Sequence, residues 1–115
     1  MRNDKPNVIV EKSVAFSLSI IEFTEVLEQD RKYVIAKQLL RSGTSIGANI
    51  FEAQNAESKA DFIHKMKIAA KEASETHYWL LLCERSESYQ FDLQLKNDLL
   101  EIIKILSRII ATLKR

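Results

Sequence analysis

Turn-forming residues are almost absent from this chain of 115 residues, which has two glycines and one proline. A β-rich fold needs such residues every few positions, so long helices joined by short links are expected instead. A lone cysteine, Cys83, has no partner for an intrachain disulfide and fits a reducing, cytoplasmic setting. No stretch of about 18 uncharged apolar residues occurs, which excludes a membrane-spanning helix. Met1 to Asn7 are polar and lack the apolar core of a secretory signal. Excess charge of one sign is missing too: the net charge is +1, where a general polyanion binder would be strongly basic. What is present is 46% hydrophobic and 29% charged residues, enough for one core with a solvated exterior, and hence a single domain.

Apolar spacing places four helices, at about 8–28, 33–57, 59–86 and 93–113, giving an all-α, antiparallel up-down-up-down four-helix bundle. The first carries two apolar rows, Val10, Val14, Leu18, Ile21 and Phe16, Ile20, Phe23, Leu27, which together predict a broad buried stripe. Its polar face is acidic, with Glu11, Glu22, Glu25 and Glu28 against Lys12. The second helix sets Ile35, Leu39, Ile46, Ile50 and Ala53 on one side. It contains Ser42-Gly43-Thr44-Ser45-Ile46-Gly47, and each glycine costs about 1 kcal/mol relative to alanine inside a helix. Such a segment serves either close approach of another backbone or a kink or break. Ser58 is the expected N-cap of the third helix, with Asp61 placed as in a capping box. Phe62, Met66, Ala69, Ala73, Thr76, Leu80 and Cys83 then alternate by four and three, the spacing of a bundle seam. Asp92 caps the fourth helix, whose ladder is Leu95, Leu99, Ile102, Leu106, Ile109 and Leu113.

Bundles often house di-iron sites, which need Glu-x-x-His on each of two helices and further carboxylates. The one loose relative here is Asp61-Phe62-Ile63-His64. His77 lies 13 residues from His64 and, at about 100° per residue, points elsewhere. No metal or cofactor is expected. Cys83 follows Leu80-Leu81-Leu82 and reads as a buried apolar group, not a nucleophile. Acid–base pairs on the third helix, Lys67–Lys71–Glu75 and Lys65–Glu72, read as solvated helix-face pairs. A general acid or base would need a cleft to shift its pKa, and the expectation is a protein that is not an enzyme.

Two polar features stand out. Arg41, Asn49 and Glu52 interrupt an otherwise apolar second helix; they are either a network fixing helix register through bonds to neighbouring helices, or a ligand contact. From Lys104 onward the chain carries Lys104, Arg108, Lys114 and Arg115 with no acid. These cations either complement the helix dipole or form a basic edge for RNA, DNA or another subunit's acidic helix.

Arg41-Ser42-Gly43-Thr44-Ser45-Ile46-Gly47-Ala48-Asn49-Ile50, followed by Glu52-Ala53, closely resembles the second-helix signature of the four-helix bundle family also called 23S rRNA intervening-sequence proteins. Asp61 to Ala69, then Lys71-Glu72-Ala73 and Glu75-Thr76-His77-Tyr78-Trp79-Leu80, resembles its third-helix signature. The resemblance covers nearly the whole chain. It implies a bacterial protein without catalytic residues, forming homo-oligomers and, in similar proteins, five-fold rings. Related retroelement accessory bundles are basic and bind nucleic acid, whereas this chain is nearly neutral. A ring needs two different surfaces on each subunit, and Ile68, Tyr78 and Trp79, lying off the third helix's seam, are candidates for one of them. The resulting expectation is an oligomeric assembly or adaptor module, with a protein partner. The alternative is binding of structured RNA or DNA through the basic edge.

Overall fold

In the computed structural model, which describes residues 7–114, the chain forms four helices: α1 (Val8–Gln29), α2 (Tyr33–Ala53), α3 (Lys59–Arg85) and α4 (Leu93–Leu113). No strand occurs among the described residues. Residues 1–6 of the polar amino terminus and Arg115 of the basic edge lie outside the described residues. Neighbours in sequence pack antiparallel, and α4 closes the bundle against α1. α1 and α3 therefore stand at diagonal corners, as do α2 and α4.

Local chemistry sets the helix ends. The Ser58 hydroxyl accepts the Asp61 N–H at 3.0 Å, and the Asp92 carboxylate accepts the Leu95 N–H at 3.1 Å, each filling a donor that the helix leaves unpaired. The Asp61 carboxylate reaches back to the N–H of Glu57, one residue before the cap. α1 ends in a Schellman arrangement: Lys32 N–H bonds the Leu27 carbonyl and Arg31 N–H that of Glu28, with Arg31 in the left-handed region at φ 64°. α2 stops at Ala53, short of the expected Glu57. The N–H groups of Gln54, Asn55 and Ala56 tighten to bonds three residues back, and the Gln54 amide takes the Ile50 carbonyl, so the regular ladder ends there.

All seven predicted seam residues of α3 are buried, from Phe62 to Cys83. On α4, Leu95, Leu99, Ile102 and Leu106 are buried, whereas Ile109 and Leu113 are half-covered. Those two line a groove of about 400 Å³ at the end of the bundle, beside Ile9, Phe62 and Met66.

α2 runs unbroken through both glycines, and the reason is close approach of α1. A β-carbon on Gly43 would stand 2.9 Å from Cγ1 of the fully buried Ile20, and one on Gly47 would stand 3.1 Å from Oγ of Ser17. This contact also decides which apolar row of α1 faces inward. Phe16, Ile20, Phe23 and Leu27 fill the core, while Val14, Leu18 and Ile21 are exposed and Val10 is half-buried. The expected single broad stripe is thus wrong: a bundle corner covers roughly a 100° stripe of a helix, and the second row falls outside it.

Candidate functional site

Arg41 and Glu52 of α2 bond charged side chains of α3, and Trp79 of α3 joins the Arg41 group. The Arg41 guanidinium bonds Glu72 at 3.2 Å and also Glu75, while Lys65 bonds Glu52 at 3.0 Å. Glu75 in turn accepts the Trp79 indole N–H at 3.1 Å. The Arg41 guanidinium, helped by that indole, holds the Glu75 carboxyl below the usual carboxylate range. Glu52 raises the Lys65 ammonium above its ordinary value.

Two sequence expectations are corrected here. The acids Glu72 and Glu75 pair across to α2 and not with lysines of their own helix, because they lie on the flank that α2 approaches. Asn49 makes no bond to a neighbouring helix among the described residues: its amide donates to the Ser45 carbonyl one turn back. Arg41 and Glu52 do tie α2 to α3, so the network is inter-helical at two of its three predicted members.

Of the three residues placed at a subunit surface, Trp79 is half-buried against the core, Ile68 is half-buried, and Tyr78 faces solvent. The Tyr78 ring stands edge-on to Trp79, with centroids 5.3 Å apart. On α4, Lys104, Arg108 and Lys114 are all exposed. Lys104 and Arg108, one turn apart, share a face. Lys114, six residues beyond Arg108, is turned about a third of a circle away. Among the described residues the basic edge is therefore a pair with an outlier.

Sequence reasoning missed an apolar surface across α1 and α2. Val14, Leu18 and Ile21 of α1 lie beside Leu40 and Phe51 of α2, all exposed; Leu18 is 60% and Phe51 62% accessible. Between them runs a shallow groove of about 360 Å³ lined by Val14, Ser17, Leu18, Gly47, Ala48, Phe51 and Glu52. The surplus second apolar row of α1 was its signal.

Burial pushes the Cys83 thiol up to about 11, which keeps it protonated and unreactive. Among the described residues, no three His, Cys, Asp or Glu side chains gather as a metal site, and no helix is long and apolar enough to cross a membrane.

The family described as 23S rRNA-intervening sequence protein matches residues 5–109 of this chain. A crystal structure of a protein of unknown function, from the S23 ribosomal protein family of Bacteroides thetaiotaomicron, is 48% identical. It has a TM-score of 0.84, and the match covers 89% of this chain and 97% of that one. No curated protein matches significantly. The four-helix order, the two helix signatures and a match across nearly the whole length agree, and the chain belongs to the 23S rRNA-intervening sequence protein family.

Proposed function

We propose that this protein is a non-enzymatic, cytoplasmic assembly module that works as a homo-oligomer, a five-fold ring being the number its family resemblance suggests. The observation that carries this reading is the apolar face across α1 and α2, with Val14, Leu18, Ile21, Leu40 and Phe51 in water. Contiguous exposed apolar surface of this kind marks interaction sites in soluble proteins. The groups with shifted pKa values have structural occupations: Glu75 sits in a helix-to-helix ion pair, and Cys83 is packed in the core. Light scattering on the purified chain tests the proposal. A mass several times that of one chain, stable on dilution, is the expected result, and a monomer at micromolar concentration would refute it.

Nucleic-acid binding is the second reading, favoured by Lys104 and Arg108 sharing an exposed face without an ion-pair partner among the described residues. Copies in an oligomer would add their weak contacts. Binding of this kind weakens steeply with salt as counterions are released. Anisotropy titrations with a structured RNA and a duplex DNA at two salt concentrations decide it: retention near physiological salt supports the reading, and loss removes it.

A further inference from the structure

The outer faces of α1 and α3 carry matching stripes of opposite charge. On α1, Glu11, Leu18 and Glu25 recur every seventh residue, and all three are exposed. On α3, Lys71, Tyr78 and Arg85 recur at the same interval, and all three are exposed as well. Seven residues make nearly two turns, so each set forms one line along its helix. One line reads acid–apolar–acid and the other base–apolar–base.

None of the four charged members is in an ion pair among the described residues. Their neighbours sharpen the contrast. The α1 cation Lys12 is bonded to Glu101, while the α3 acids Glu72 and Glu75 are bonded to Arg41, and Glu84 to Lys96. Uncompensated charge is thus negative along α1 and positive along α3.

We infer that the α1 stripe of one copy docks on the α3 stripe of the next, in a head-to-tail interface. The inference rests on the assembly reading above and specifies its surfaces. α1 and α3 occupy diagonal corners and do not pack together, so the two stripes meet only between molecules. A two-fold contact of α1 with α1 would oppose Glu to Glu, and one of α3 with α3 would oppose Lys and Arg to their like. Charge therefore selects the heterologous pairing, which uses a different surface on each side and propagates from copy to copy. Leu18 and Tyr78 supply the apolar contact, and the flanking charges set orientation and partner choice.

The test is the solution mass of the native chain, of Leu18→Lys, of Tyr78→Glu and of an equimolar mixture of the two variants. Each substitution is on an exposed position, and circular dichroism confirms that helix content is retained. Each variant alone is expected to fall to the mass of one chain. The mixture is expected to recover twice that mass and no more, because each variant keeps the stripe that the other has lost and the pair has no working stripe left. Native-like mass in either variant, or a mixture that stays monomeric, would overturn the docking assignment while leaving the assembly reading standing. A monomeric native chain would overturn both.

Discussion

The hydroxyls of Ser42 and Thr76 lie 2.9 Å apart at the α2–α3 contact, with both residues fully withdrawn from solvent. Thr76 also reaches the Glu72 carbonyl oxygen at 2.8 Å, whereas Ser42 has no other side-chain partner among the described residues. Removing one member of a buried hydrogen bond is penalised by the group left behind, at about 1–3 kcal/mol. Thr76→Val, which keeps shape but strands the Ser42 hydroxyl, should therefore destabilise by about 1–2 kcal/mol. Ser42→Ala should cost less, since Thr76 keeps its carbonyl. The double variant should be no less stable than Thr76→Val alone, and urea denaturation of the three proteins reads the order.

Thr76 was legible in the sequence because α3 carries one apolar row at four-and-three spacing, and every residue of that row is buried. α1 was not legible in the same way. Two rows of equal length satisfy the helical period, and periodicity cannot say which faces inward. The choice is made on α2, where Gly43 and Gly47 admit Ile20 and Ser17. Likewise Arg41 was recognisable as an anomaly, but its partners Glu72 and Glu75 lie 31 and 34 positions on. Their pairing depends on how two helices are rotated against each other, which no local pattern encodes. The same rotation leaves Tyr78 facing water. The apolar face of α1 and α2 follows from the row that lost the core.

Gly43 provides a second prediction. An alanine there improves intrinsic helix propensity by about 1 kcal/mol. Its β-carbon would meet Cγ1 and Cγ2 of Ile20 at 2.9 and 3.0 Å, and these branch atoms cannot swing aside in a filled core. Overpacking of this kind costs about 1–3 kcal/mol, so Gly43→Ala should be net destabilising. Gly47→Ala meets the Ser17 hydroxyl at 3.1 Å and the Ser13 carbonyl oxygen at 3.3 Å, a milder conflict. Denaturation midpoints should therefore fall in the order native, Gly47→Ala, Gly43→Ala; a Gly43→Ala protein more stable than native would refute the packing role.

Arg31 holds the left-handed position that ends α1, at φ 64°. A side chain there is strained by about 1–2 kcal/mol, and glycine relieves this while giving back part through unfolded-chain entropy. Arg31→Gly should raise stability by about 0.5 kcal/mol, and thus the melting temperature by about 2–4 °C. Arg31→Val, branched at the β-carbon, should lower it. If both variants melt alike, the Schellman turn is not what limits this connection.

Glu75 gives the chain an acid-side pH dependence. Its folded carboxyl lies below the ordinary range, because Arg41 and then the Trp79 indole favour the charged form. A depressed folded pKa contributes stability that is fully present above the unfolded value of about 4.3. That contribution is lost as pH falls through the lower folded value. Half-exposed ion pairs are screened, so its size should be about 0.2–1 kcal/mol. Glu75→Gln keeps an acceptor for the indole but not the charge that Arg41 requires. The gap in melting temperature between native and Glu75→Gln should be constant from neutral pH to about 5, then close as the carboxylate protonates. It should also narrow in high salt. A gap that persists unchanged at pH 3 would mean that packing around Glu75, and not its charge, joins α2 to α3.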